Sequence, residues 1–381
     1  AVIDLDAATG RGANTDIVKP LLRIAECRVG GGIRTAEQAA ELVSLGAKKV
    51  IVGSAAFRVG GDFAVNETFL DALARAIGRE RLIVAVDALE GEIVVDGWKT
   101  RTGLKLLETA RRVEEYAGEL LFTSVEKEGM MGGADLAAIK ELRASVSVSS
   151  LVTAAGGVST LAEIEELAAS GCDIQLGMAL YTGKIDLADA FAASLNWQKA
   201  ADGFLPLIAQ SHDGQVLMTG CADREAVTET FRRGNVCFHS RTRGRLWMKG
   251  ESSGNTMRLL RLRADCDRDA LLAVVEPRGP VCHTGAWSCF EVGRRFTPQY
   301  LQEIVRQRLK CAPAGSYTAS LSDERVRRKV MEEAYEVCTA KTHGEFVWEA
   351  ADLLYHTIVL LSRENVDFDE VLDELDRRHL N

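Results

Sequence analysis

The feature that most constrains this chain is an internal repeat. Gly31-Gly32-Ile33-Arg34-Thr35, an amphipathic stretch, Gly46, an apolar run and Gly53 return 125 residues later as Gly156-Gly157-Val158-Ser159-Thr160, an amphipathic stretch, Gly171, an apolar run and Gly177, slipping by one at the end. Each copy reads strand, glycine turn, helix, strand, which is βαβ grammar and predicts parallel strands. Strands are expected at 2–5, 27–29, 50–52, 82–86, 120–125, 152–155 and 174–176, with 2–5 the counterpart of 120–125. Two half-barrels follow, one of three strands and one of four. The strand ending at Asp87 has no mate, so either the chain as given starts late or an eight-stranded barrel lacks its first βα unit.

A length of 381 residues suggests two or three domains. With 47% apolar and 27% charged residues, a disordered or fibrous chain is excluded. The formal charge of −9 removes the diffuse positive field that sequence-independent nucleic-acid binding needs. Small-molecule chemistry is the better expectation. Nine cysteines, an odd number without disulfide-framework spacing, point to a reducing compartment and a cytoplasmic protein. No apolar run approaches the roughly 20 residues that span a bilayer. The first residue is Ala1 rather than a start methionine, which leaves organelle import open.

Glycine turns at strand ends, followed by helix N-termini, offer N–H groups and a positive dipole to phosphate. Gly31 and Gly32 with Gly53, and Gly156 and Gly157 with Gly177, suit a ligand carrying a phosphate at each end. One such loop alone would equally be a tight βα turn; the repetition favours phosphate. Residues 1–197 resemble phosphoribosylformimino-AICAR-phosphate isomerase in Asp4-Leu5-Asp6, Val29-Gly30-Gly31-Gly32-Ile33-Arg34, Gly97-Trp98, Thr123, Glu126-Lys127 and Ala155-Gly156-Gly157. The resemblance implies an α/β TIM barrel with one aspartate as general base and another as general acid. Asp87 matches the acid. The base has no counterpart, Leu89 replaces the usual arginine and Glu128 the usual aspartate, so a scaffold without isomerase turnover is expected.

The second region, residues 198–293, holds Asp265-Cys266-Asp267-Arg268-Asp269, then Cys282-His283-Thr284-Gly285 and Ser288-Cys289. Thiolates hold zinc and carboxylates prefer magnesium, so Cys266, Cys282 and Cys289 on one side and Asp265, Asp267 and Asp269 on the other predict two ions. Three thiolates leave a fourth position for water. If 265–269 is a strand, the carboxylates share one face and Cys266 points to the other; Cys266 then meets the other cysteines across a subunit boundary, or a bulge reorients it. The alternatives are a structural zinc site with His283 as fourth ligand, or cysteines that are small buried hydrophobes. The region resembles phosphoribosyl-AMP cyclohydrolase, including Ser240-Arg241-Thr242-Arg243 and the run from Leu246 to Asn255. The resemblance implies an α+β domain that opens the adenine ring at N1–C6 with metal-activated water. His283 is the expected proton acceptor. Arg241, Arg243, Lys249, Ser253 and Asn255 are expected on phosphate and ribose, and Trp247 on the purine. Gly220-Cys221-Ala222-Asp223 departs from the family pattern.

Residues 294–381 are helical by periodicity, with Leu301, Ile304, Val305 and Leu309 on one stripe and a second apolar stretch at 348–361. Glu332 and Glu336, and Glu349 and Asp352, are each a helical turn apart. Asp352 sits among apolar neighbours, where an ionised carboxylate needs a cation. Glu332, Glu333, Glu336, Glu349 and Asp352 are therefore expected to bind magnesium, although an acidic face is often only solvated. With Ser316-Tyr317-Thr318, this pattern resembles phosphoribosyl-ATP pyrophosphohydrolase, an all-α relative of the MazG-type pyrophosphatases. That likeness implies water attack at the α–β phosphate junction, with Glu333 and Glu336 catalytic and Lys329 and Arg308 on phosphate. The expected whole is a bifunctional enzyme acting on phosphoribosyl nucleotides, forming a homodimer, with Zn2+ and Mg2+ as cofactors. The alternative is a metal- and phosphate-binding regulatory or assembly protein.

Overall fold

The computed structural model describes residues 1–130, 132–200, 202–291 and 293–379. It divides into two compact units, one of residues 1–207, 220–248 and 263–272, the other of 208–219, 249–262 and 273–381.

In the first unit seven strands form one sheet in the spatial order Val2–Ile3, Arg28–Gly30, Lys49–Val52, Leu82–Ala85, Glu119–Thr123, Leu151–Ala155 and Asp173–Ile174. Its neighbouring strands pair in parallel, as the repeat predicts: Val29 lies beside Val50, and Val50 beside Leu82. Leu82, Ile83 and Val84 are wholly buried because helices cover one side and the barrel interior the other. Helices Ala36–Ser44, Glu67–Ile77, Leu106–Val113, Leu136–Ser145 and Leu161–Ala169 send Val43, Leu70, Val113, Leu142 and Leu167 into the outer core. A smaller inner cluster holds Ile51, Ile83, Leu121 and Ala155. At the start of the strands the fully buried Glu119 accepts hydrogen bonds from Arg28, from Thr153 Oγ1 and from Lys49 Nζ at 2.6 Å. Four strands are tied by one carboxylate. Among the described residues no eighth strand joins the two outer strands, Val2–Ile3 and Asp173–Ile174.

The repeat is also visible in backbone geometry. Thr35 with Gln38 and Thr160 with Glu163 close matching capping boxes. Gly53 (φ −121°, ψ −106°) and Gly177 (φ −117°, ψ −104°) share one conformation before a short helical turn. An antiparallel ribbon of Ala88–Leu89, Glu92–Val95 and Thr100–Lys105 follows Asp87; the repeat gives no hint of it.

Residues 205–277 build a six-stranded sheet, ordered Arg245–Met248, Cys237–Ser240, Val216–Ala222, Leu205–Ser211, Leu271–Pro277 and Met257–Ala264, with helix Arg224–Arg233 capped by Asp223. This is the expected α+β architecture. The condition of a strand at 265–269 is not met: the strand ends at Ala264 and the acids lie in a turn. Asp265 Oδ1 accepts from the backbone N–H groups of Asp269 and Ala270, at 2.9 and 3.1 Å, which favours a turn over a continued ladder.

The C-terminal part of the second unit contains helices Pro298–Cys311, Tyr317–Ser320, Asp323–Thr339, His343–Arg363 and Phe368–His379. Thr297 caps the first, with Pro298 at its first position. Val305, Leu321, Val326, Ile358 and Val359 form its core, so the stripe read from Leu301 to Leu309 faces inward as expected. Among the described residues no helix is long and apolar enough to cross a membrane.

Candidate active sites

The open end of the barrel carries a cavity of about 720 Å³. Gly31, Gly32, Gly53, Gly156, Gly157 and Gly177 all line it, together with Asp87 and Trp98. The two glycine turns are tight for a reason internal to the chain. At Gly31 (φ 107°) a Cβ would stand 2.2 Å from the Asp4 carbonyl oxygen, and at Gly157 (φ 76°) 2.5 Å from that of Gly133. Asp87 opens onto the cavity and accepts a hydrogen bond from Trp98 Nε1 at 2.8 Å, a contact that the ribbon creates. Burial pushes its carboxyl above the ordinary range. Burial and the neighbouring Asp87 do the same to Glu128, so the cavity holds two acids that resist joint ionisation.

The cysteines divide between the units. In the second, Thr284 Oγ1 donates to Cys282 Sγ at 3.2 Å and holds that thiol below its usual value, while burial raises Cys289 beside it. Lys249 is buried here; burial lowers its ammonium while the two cysteines oppose that shift. His283 is exposed, its Nδ1 3.8 Å from Cys282 Sγ. Asn255 Nδ2 donates to the Pro280 carbonyl at 2.9 Å, and the Asn255 N–H donates to Ser253 Oγ, so both residues shape the loop. In the first unit Cys266 is exposed, with Sγ 3.9 Å from Asp267 Oδ1. Arg241 and Arg243 are exposed in the turn before Arg245–Met248, and Trp247 packs beside Phe238 at 6.0 Å. Oxygens of Asp265, Asp267 and Asp269 gather within 4.8 Å. Lys199 already reaches two of these acids, Asp267 and, at 3.5 Å, Asp269. Sequence reasoning missed this cation, which lies 66 positions before Asp265.

Two facing helices bring Glu333 to Glu349 and Asp352, with carboxylate oxygens within 4.8 Å. Glu333 is only 3% exposed. Lys329 Nζ lies 2.9 Å from Glu332 and 3.1 Å from Glu333, and these bonds raise its pKa. Glu332 is exposed and stands outside the trio. Desolvation, with Glu333 and Glu349 nearby, raises the Glu336 carboxyl. Arg308 is exposed on the first helix. Three oxygen donors of this kind fit a hard divalent cation. The sequence pattern did not single out His356, whose Nδ1 is 3.7 Å from Glu333 Oε1.

Three family models match the chain in order: histidine biosynthesis protein over residues 1–186, phosphoribosyl-AMP cyclohydrolase over 218–291 and phosphoribosyl-ATP pyrophosphohydrolase over 299–379. Barrel, sheet and helices thus define a histidine-biosynthesis fusion. The histidine biosynthesis bifunctional protein HisIE of Vibrio vulnificus strain CMCP6 is 41% identical over 202 residues, 50% of this chain and 95% of the relative. That of Pyrococcus furiosus is 40% identical over 199 residues (48% and 95%), and that of Bacillus subtilis 42% over 193 (47% and 92%). This chain belongs to the HisIE family of bifunctional histidine-biosynthesis proteins, with an isomerase-like barrel on its N-terminal side.

Proposed function

We propose that the chain is a bifunctional hydrolase that converts phosphoribosyl-ATP to phosphoribosyl-AMP and pyrophosphate, then opens the adenine ring at N1–C6. The observation that carries this reading is the convergence of Glu333, Glu349 and Asp352 from two helices within the pyrophosphohydrolase match. Those three residues would hold magnesium, which when bound offsets phosphate charge and polarises the phosphoryl group under attack. Glu336, its carboxyl raised, is suited to accept a proton from the attacking water. Lys329 stands at the edge of the trio to meet phosphate.

For ring opening, Cys282 and Cys289 would hold zinc, with Cys266 of a second copy as third thiolate; bound zinc supplies water acidified toward neutrality. The Thr284 hydrogen bond favours the Cys282 thiolate. His283 would take the water proton, while Arg241, Arg243 and Lys249 bind phosphate and Trp247 stacks on the purine. This arrangement makes the working form a homodimer and sets it in a reducing cytoplasm. The barrel would bind a phosphorylated ligand at its paired glycine turns. The purified full chain with magnesium should release pyrophosphate from phosphoribosyl-ATP and go on to the ring-opened product. Absence of both products rejects the proposal in favour of a binding protein.

A further inference from the structure

His356 is 4% exposed and has no part in the chemistry above, yet three elements meet at its ring. Its Nδ1 lies 2.9 Å from the Asp352 carbonyl oxygen, one turn back on the same helix. A carbonyl only accepts, so Nδ1 carries the proton. In the neutral ring Nε2 is then an acceptor, and the Tyr317 hydroxyl stands 3.2 Å away with a proton to donate. The same Nδ1 is 3.7 Å from Glu333 Oε1. Next to this bond Thr318 Oγ1 and the Tyr355 hydroxyl meet at 2.8 Å, and the Tyr317 and Tyr355 rings stack at 6.5 Å. Tyr317, the first residue of the short helix Tyr317–Ser320, is thereby fixed to the ring that reaches Glu333, with 46% of its surface open.

We infer that His356 is a positioning residue that acts through Tyr317, holding the half-exposed phenol ring as a wall for the nucleotide whose phosphates approach the magnesium that the acidic trio would hold. The inference rests on the pyrophosphohydrolase reading and deepens it. The ring is flat and apolar; it is held by its hydroxyl and stacks toward Tyr355 on one side, so its half-exposed side remains available to a purine. His356 itself touches neither metal nor substrate. Removing the Nε2 acceptor while keeping a donor for Asp352 should loosen Tyr317 and leave the carboxylates in place.

The test uses the full chain and the variants His356→Asn, which keeps a donor near Nδ1, and Tyr317→Phe, alone and together. The expected result is a KM for phosphoribosyl-ATP raised about fivefold in each single variant, with kcat within about twofold, corresponding to about 1 kcal/mol. The double variant should be no worse than either single one. Magnesium binding without nucleotide, followed by calorimetry, should be unchanged. Independently of activity, long-range 1H–15N spectra should show His356 as the Nδ1–H form, with an Nε2 resonance that moves in Tyr317→Phe. An Nε2–H tautomer, additive losses in the double variant, or a lowered melting temperature with unchanged KM overturns the inference. If the wild-type chain releases no pyrophosphate, the parent reading has failed and with it the nucleotide role of Tyr317, while the spectra still decide the hydrogen bond.

Discussion

Glu332 and Glu333 are adjacent in sequence and opposite in environment. One is in solvent, and the other is enclosed with Lys329 and His356. Glu333→Gln should therefore weaken magnesium binding, measured without nucleotide, by tenfold or more, whereas Glu332→Gln should change it less than about threefold; equal losses would contradict the assigned geometry. Asp87 gives a pH-dependent prediction. Its folded-state pKa is raised by burial, so its contribution to stability is fully present below the ordinary carboxylate value and is lost as pH rises through the raised value. Asp87→Asn, which keeps an acceptor for Trp98, should raise the barrel's melting temperature at about pH 8 and not at about pH 4. A gain that is the same at both pH values would show that ionisation is not its origin.

At the scale of elements, the barrel strands were legible because they are short apolar runs, four of them closed by glycine turns, and covered strands need no alternation. The ribbon at 88–105 was not, because its pattern is local while Trp98's purpose, reaching Asp87, is tertiary. The acidic turn was left open between strand and turn for the same kind of reason: alternation of Asp265, Asp267 and Asp269 is satisfied equally by a strand face and by an Asp-capped turn. In the helices, 3.6-residue periodicity paired Glu349 with Asp352 but paired Glu332 with Glu336 and did not single out Glu333, which packing of two helices brings to that pair; Lys199 and His356 were not readable for the same reason, since their partners are set by packing across elements. Glu119 belongs with these. Glu119→Ala would strand Arg28 and Lys49, whose side chains are 33% and 22% exposed, and should cost the barrel about 2–3 kcal/mol in denaturant unfolding. Glu119→Gln, still an acceptor, should cost less; a neutral Glu119→Ala would show that the strands hold their register without it.

At the scale of the whole molecule, the order of matched families, barrel, then cyclohydrolase, then pyrophosphohydrolase, runs against the order of the two proposed reactions along the chain. Position in sequence therefore does not set reaction order; the chemistry does, because only a nucleotide already stripped of pyrophosphate has the form that the ring-opening site is proposed to take. The two activities should be separable by a single substitution while the fold persists. The most direct measurement is product formation by Glu333→Gln chain supplied in parallel with phosphoribosyl-ATP and with phosphoribosyl-AMP. The account predicts at least a hundredfold loss of pyrophosphate release from the first and near wild-type ring opening of the second. Undiminished pyrophosphate release, or loss of both activities in a variant that remains folded, would contradict it.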